Sequence, residues 1–550
     1  MLTYRLERGS GRSLYEQLYL AVRHDIEGGV VAAGQKLPSK RELARHLGVS
    51  VITVEAAYDQ LEAEGYVLMR ERSGVYVNDV GASLRDAREA WEAQEEEGRQ
   101  SKPLHLPATT DATPDAESGG TYEMREASAD FDRGRRQPTN SGGGWVPEAS
   151  GPKGSDASEP RAPIDLTGRS GGARLFPYSA WARIQRKVLS DCDERTLLHA
   201  GQAQGSWELR CALADYLRGF RGMEVSPDQI VVGAGAQVLY PFVVQLLGRE
   251  RLFALETPGY RRLAQVYASN DVAIAPVPVD RDGISVPALA ATGASVVHCM
   301  PSHQLPGGMV LPAPRRRELL RWGAEGERPK RYIVEDDYDC EFRMAGRPIA
   351  PLQAIDGNGS VIYANTFTKT LGPALRMAYL VLPPHLAVDF RERLGFYSCT
   401  AGATDQLTLA RFIASGEFER HVNRLRTGYR RVQDALVAGL RACKAAPRLR
   451  LHQVGAGLHF LVEVQGASGP EASERLRREG VAVEPLEAFE LRNLPAPLRA
   501  SVRGTGGLPE VSGGKGRSPY ASDAGVLVVS FSSLPPQDIA PVVEAFERAF

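Results

Sequence analysis

Apolar side chains recur at four-residue steps near the start of the chain, at Leu14, Leu18, Val22 and Ile26 within SLYEQLYLAVRHDIEG. That spacing puts a single apolar stripe on a helix over residues 13–28. Two shorter helical patterns follow Gly34 and Pro38. SKRELARHLG and SVITVEAAYDQLEAEG each open on a serine able to cap a helix and close on a glycine able to end one. YVLMRERSGVYV then reads as two short strands about a turn holding Ser73 and Gly74. The expectation is a helix, a helix-turn-helix and a β wing, together residues 1–78.

The pattern lapses over residues 79–162, where Gly, Ser, Pro and Glu dominate and LRDAREAWEAQEEEGR is acidic with helical spacing. So little apolar surface predicts a polar, disordered linker. Within residues 163–550 the apolar runs return as QIVVG, RLFALE, VVHCMP, RYIVEDDYD, SVIYANTF and LVLP, alternating with amphipathic helical stretches. This alternation predicts an α/β domain, a parallel or mixed sheet covered by helices, to about residue 395. Residues 396–550 open with helices and then show LHFLVEVQG and VLVVSFSSL, as a small α+β subdomain would. A Gly/Ser-rich stretch at about 503–525 interrupts it as a surface loop.

Bulk properties narrow the classes. A chain of 550 residues is too long for one core. No uninterrupted apolar run approaches the roughly 20 residues needed to span a bilayer. Arg and Glu occur where a signal peptide would need an apolar stretch, so a cytoplasmic protein is expected. The six cysteines form no close CxxC pair, which argues against a disulfide framework and a metal site. A net charge of -1 offers no global attraction to nucleic acid. Residues 1–78 carry ten basic and ten acidic side chains, but residues 36–54 carry four against one, a local patch.

Only nine lysines occur in the chain, and Lys369 is the one that follows a strand-like run in a Thr-rich turn, SVIYANTFTKTLGPALR. A lysine there can form a Schiff base with an aldehyde cofactor, and Arg376 can hold a cofactor phosphate. Asp336, 33 residues earlier, and Tyr338 end a hydrophobic strand. A carboxylate there can keep a pyridine nitrogen protonated, and a phenol can hydrogen-bond a ring hydroxyl. Asp337 or Asp339 could serve as well as Asp336, or the acid could simply cap a helix. QIVVGAGAQVLYPF is a strand, a small-residue turn and a helix, whose N–H groups near Ala236 and Gln237 would bind phosphate. Tyr260 in ETPGY, and His303 and Gln304 in PSHQLPGG, are further candidates that could as readily be structural.

The block QKLPSKRELARHLGVSVITVEAAYDQLEAEGYVLMRERSGVYV resembles the winged helix-turn-helix of the GntR family, through LPS, REL, LGVS, TV, AY, EG and SGVYV in order. The resemblance implies a recognition helix in the major groove of double-stranded promoter DNA and a wing along its backbone. It places Ser39, Lys40, Arg41, Ser50, Thr53, Arg72, Ser73 and Gly74 at the DNA. Val51 stands where that family usually has Arg, and Glu55 where a basic or amide side chain is frequent.

GAGAQ, ETPGY, PSHQLPGG, EDDYD and TFTKTLGPALR, in this order, resemble fold-type I aminotransferases of class I across residues 163–550. A GntR-like head before such a domain resembles the MocR family of regulators. That resemblance implies pyridoxal 5'-phosphate as cofactor, with Lys369 the catalytic Schiff-base lysine, Asp336 the pyridine partner and Tyr338 the ring-hydroxyl partner. Ala236, Gln237, Thr366 and Arg376 would hold the phosphate, and Tyr260 and Arg262 would meet the effector. It also implies a head-to-tail homodimer and a small amine or amino acid effector that reacts with the cofactor aldimine and alters promoter binding. The alternative is a working aminotransferase with an accessory head. VLVVSFSSL lacks the late arginine with which aminotransferases bind a substrate carboxylate, leaving Arg499 or Arg503 as substitutes.

Overall fold

The structure is a computed structural model. It describes residues 4, 6, 13–27, 30–32, 34–63, 66–70, 74–77, 163–168, 175–199, 201–325, 330–343, 349–491 and 524–550. The linker expected at 79–162, the wing-turn residues Arg72 and Ser73, the Gly/Ser-rich stretch up to residue 523, and Arg499 and Arg503 lie outside the described residues.

The head comprises α1 (Leu14–Glu27), α2 (Lys40–Leu47), α3 (Val51–Ala63) and the antiparallel strands β1 (Val67–Arg70) and β2 (Gly74–Val77). α2 begins where Ser39 Oγ accepts from the Glu42 amide while the Glu42 carboxylate accepts from the Ser39 amide, a reciprocal cap. It ends at Gly48, whose φ of 66° suits a residue without Cβ. Ser50 caps α3 by accepting from the Thr53 amide at 3.1 Å. The stripe of α1 is buried through Leu18, Val22 and Ile26 against Leu43, Val54 and Leu61.

The second region opens with β3 (Ile164–Asp165), α4 (Tyr178–Asp191), α5 (Glu194–Leu198) and α6 (Trp207–Arg221). It continues with β4 (Ile230–Gly233), α7 (Ala236–Leu247), β5 (Leu252–Thr257), α8 (Arg261–Ala268), β6 (Ala273–Asp280), β7 (Gly283–Ile284) and α9 (Val286–Ala291). Next come β8 (Val296–Cys299), α10 (Ala313–Ala324), β9 (Tyr332–Asp336), β10 (Val361–Thr366), α11 (Thr368–Leu371), β11 (Ala378–Val381) and α12 (Pro384–Leu394). The last part holds α13 (Ala403–Ala414), α14 (Glu417–Ala442), β12 (Leu449–His452), β13 (His459–Val464), α15 (Gly469–Arg478), β14 (Val481–Ala482), β15 (Glu484–Pro485), β16 (Gly525–Ser530) and α16 (Ile539–Ala549).

Eight strands form one sheet in the order β4-β11-β10-β9-β8-β5-β6-β7. The run from β10 to β6 is parallel, and β11 is antiparallel to both of its neighbours. Helices cover both faces, so strands such as β9 are buried at every position and read as unbroken apolar runs. β6 escaped the sequence pattern because its AIAPVPVD carries Pro276 and Pro278. It sits beside the sheet edge, where β7 pairs only with Val279 and Asp280, so the missing amides break no ladder on that side.

The smaller sheet, β12-β13-β16-β15, is antiparallel. Two features cut across a division at residue 395. β3 pairs in parallel with β14, bringing Ile164 to Val481. α13 packs into the large core, with Leu409 and Phe412 clustering with Trp181 and Leu213. The 26-residue α14 starts in that core at Phe418 and Val422, then contributes Leu425, Leu436 and Leu440 to the smaller one. All six cysteines are free thiols. Among the described residues no helix is long and apolar enough to cross a membrane, and no cluster of side chains suits a metal ion.

Candidate cofactor cradle and DNA-facing head

β9 and β10 end side by side, with Asp336 opposite Ala364 and Thr366 two positions further on. Side chains at these carboxyl ends face the crevice where open α/β sheets hold ligands. The chain turns from β10 straight into α11, the turn closed by Thr366 Oγ1, 2.7 Å from Thr368 Oγ1 and accepting from the Thr368 amide. This presents Lys369, whose Nζ donates to the Gly168 carbonyl at 3.4 Å. Burial lowers the Lys369 pKa from its ordinary value, against the opposing pull of Asp339 and Asp165. Burial thus favours the uncharged amine, the nucleophilic form.

The three acids of EDDYD separate by partner. Asp336 is buried; its Oδ2 accepts from the Tyr240 hydroxyl at 2.7 Å and lies 3.5 Å from His298 Nε2. His298 Nδ1 in turn meets the Tyr267 hydroxyl at 2.8 Å. Asp337 is taken up by an ion pair with Arg221 at 2.5 Å and by the Tyr363 hydroxyl at 2.8 Å. Asp339 Oδ2 lies 2.8 Å from His303 Nδ1.

α7 starts at Ala236 and Gln237 after Gly235, with no side chain capping its first turn. The Arg376 guanidinium lies over that end, so close that a Cβ on Gly235 would stand 2.6 Å from it. Arg376 itself has a φ of 46°, a left-handed conformation that costs a branched or long side chain energy. An uncapped twelve-residue helix end and an arginine guanidinium meet there, an arrangement that favours negative charge.

Tyr260 interacts with the Arg262 and Gln237 side chains and feels Asp336, and burial raises its pKa. Arg262 is exposed. Tyr338 lies 3.1 Å from His303 Nδ1. Gln304 is fully buried and structural: Nε2 donates to the Pro258 and Leu305 carbonyls, and Oε1 accepts from the Gly307 amide, tying two loops together. Sequence reasoning missed Tyr240, His298, Tyr267 and Gly168. Only His298 left a signal, as a lone polar residue inside the apolar run VVHCM. β16 is buried throughout and carries no charge.

On the head, Ser39, Arg41 and Ser50 are exposed, while Ser50 Oγ meets Thr53 Oγ1 at 2.8 Å. Lys40 is engaged inside the head, at 2.9 Å from Glu55 and 3.3 Å from Asp59. Gly74 packs against the Lys36 side chain. Val51 and Ile52 leave apolar surface at the start of α3, 42% and 76% exposed, Val51 standing where the GntR pattern usually has Arg.

Residues 14–77 match the family described as bacterial regulatory proteins, gntR family, and residues 176–507 match aminotransferase class I and II. The chain is 32% identical over 483 residues to the probable rhizopine catabolism regulatory protein MocR of Rhizobium meliloti, covering 88% of each chain. It is 31% identical over 488 residues to the HTH-type transcriptional regulator YdeL of Bacillus subtilis, covering 88% of this chain and 91% of YdeL. Among solved structures it is similar to a kynurenine aminotransferase of Pyrococcus horikoshii, with a TM-score of 0.56 at 23% identity over 70% of this chain and 89% of that one. A multiple substrate aminotransferase of Thermococcus profundus gives 0.57 at 23% identity, over 71% and 91%. These structures speak to the fold of residues beyond the head, which is that of fold-type I aminotransferases. The chain belongs to the MocR-type transcriptional regulators, in which a gntR-family DNA-binding head is fused to an aminotransferase class I and II domain.

Proposed function

We propose that this regulator binds pyridoxal 5'-phosphate and that a small amine or amino acid, by reacting with the bound cofactor, changes the head's hold on promoter DNA. The reading is carried by one observation: a buried carboxylate and a buried lysine of lowered pKa follow the ends of two paired parallel strands, while an uncapped helix end lies beneath an arginine and is linked to that carboxylate through Tyr260, which interacts with Gln237 and feels Asp336. These residues fit the cofactor. Lys369 would bind it covalently, Asp336 would hold its ring nitrogen, and Thr366, Arg376 and the amides of Ala236 and Gln237 would hold its phosphate. When bound, the cofactor supplies a carbonyl that condenses with amines and a ring that withdraws electrons. The Tyr240 hydroxyl keeps the Asp336 carboxylate oriented by its 2.7 Å hydrogen bond, with His298 Nε2 3.5 Å away. Tyr260 and Arg262 would contact the effector. Coupling requires that the effector favour one arrangement of the heads over another. We further propose a head-to-tail homodimer acting in the cytoplasm.

The same crevice retains what the first half of a transamination needs, so the rival reading is a working aminotransferase. The test is the visible spectrum of the purified protein and of Lys369→Ala, followed by titration with amines and amino acids while binding to its own upstream DNA is measured. A band lost in Lys369→Ala, and DNA binding that moves with an amine without multiple turnover, are expected. Sustained keto-acid production without specific DNA binding would overturn the regulatory reading.

A further inference from the structure

His303 is a buried side chain with two neighbours at a single nitrogen. Nδ1 lies 2.8 Å from Asp339 Oδ2 and 3.1 Å from the Tyr338 hydroxyl. A carboxylate oxygen only accepts, so Nδ1 carries the hydrogen and donates it. The phenol oxygen, sharing that hydrogen, accepts from His303, while Tyr338's own hydrogen lies within reach of Asp339, so a ligand oxygen must compete with that carboxylate for it. The ring is also held in place, with its centroid 4.4 Å from that of His459 and 6.1 Å from that of Tyr338. The charged and titratable groups around this cluster are Asp339 and Lys369, His459, Glu256 and Asp336 near Tyr338, and Arg221 and Arg343 across the adjoining cavity of about 100 Å³.

We propose that Asp339 and His303 are a positioning pair that fixes Tyr338 as hydrogen donor to the ring oxygen of bound pyridoxal phosphate. This rests on the reading of Tyr338 as the ring-hydroxyl partner. Donation to that oxygen stabilises its anionic form, so the pair lowers the pH at which the bound cofactor gives up its proton. Without the Nδ1 hydrogen to occupy it, the Asp339 carboxylate holds the Tyr338 hydrogen more strongly and the ring oxygen loses its donor.

The experiment titrates the cofactor's visible band with pH in holoprotein, comparing wild type with Tyr338→Phe, His303→Phe and His303→Asn. Phe keeps the ring plate over His459 but no hydrogen; Asn keeps a donor near the Nδ1 position. His303→Phe is expected to raise the midpoint by about one pH unit, roughly tenfold, toward the Tyr338→Phe value. His303→Asn should stay near wild type. If His303→Phe does not fold, His303→Met carries the same comparison. A wild-type midpoint in His303→Phe beside a shifted Tyr338→Phe overturns the pair's role, as does a His303→Asn shift equal to that of His303→Phe. An unshifted Tyr338→Phe overturns the reading of Tyr338 itself, and the pair's role with it.

Discussion

The double substitution Glu55→Gln with Asp59→Asn should strengthen DNA binding in a salt-dependent way. Lys40 opens α2, where the GntR resemblance places a DNA contact, yet its ammonium is 2.9 Å from Glu55 and 3.3 Å from Asp59, both on α3. Residues 36–59 carry four basic and three acidic side chains, a local +1; the double variant makes it +3. All three side chains are partly exposed, at 28%, 49% and 55%, so losing the pairs costs the head about 0–1 kcal/mol and leaves it folded. Released, Lys40 can neutralise one more phosphate, which steepens the slope of log K against log salt by about 0.9. At 0.1 M salt that amounts to roughly eightfold tighter binding, shrinking to about fourfold at 0.2 M and vanishing near 1 M. The assay is fluorescence anisotropy with upstream DNA across that salt range. Parallel salt lines for wild type and variant, or weaker binding at every salt concentration, would refute the argument that Lys40 faces a phosphate and is held back by its neighbours.

Tyr240→Phe removes the donor to Asp336 and should weaken pyridoxal phosphate binding by roughly tenfold, a charge-assisted hydrogen bond of about 1.5 kcal/mol, as read by fluorescence titration of cofactor-free protein; an unchanged affinity would count against the Asp336 role. Arg221→Met strands Asp337 in the core and should cost about 3–5 kcal/mol in urea unfolding, most of it recovered by adding Asp337→Asn; a loss below 1 kcal/mol would show the pair to be dispensable. Glu256 is pushed up to about 8 by burial, from an ordinary 4.5. A folded-state value above the unfolded one gives stability that is fully present below pH 4.5 and is lost as pH rises through 8. Glu256→Gln should therefore flatten the fall in urea stability between pH 5 and 8, and a wild type and variant that differ equally at every pH would contradict it.

Much of the head was legible in the sequence because its determinants are local. A four-residue apolar step makes α1, Ser39 with Glu42 starts α2, Gly48 ends it, and two short strands pair antiparallel. The parallel strands were legible for the opposite reason: covered on both faces, they cannot alternate and stand out as apolar runs. β6 failed that test through its two prolines, whose tolerance depends on lying next to a sheet edge, a property of strand order rather than of eight residues.

At the candidate site, chain position alone singled out Lys369 and narrowed the acid to three neighbours. Sorting those three needed the fold, because consecutive residues leaving β9 face different surroundings. Asp336 meets Tyr240, which is 96 positions away; Asp337 meets Arg221 from α6; Asp339 meets His303. The same holds on the head, where Lys40 was legible as a cation but its engagement by Glu55 and Asp59 was not. Hydrophobic periodicity records which face of an element is dry. Hydrogen bonds and ion pairs act over about 3 Å between groups that meet only after elements pack, so the tertiary structure alone decided which polar side chains are spent on the fold and which remain for a ligand.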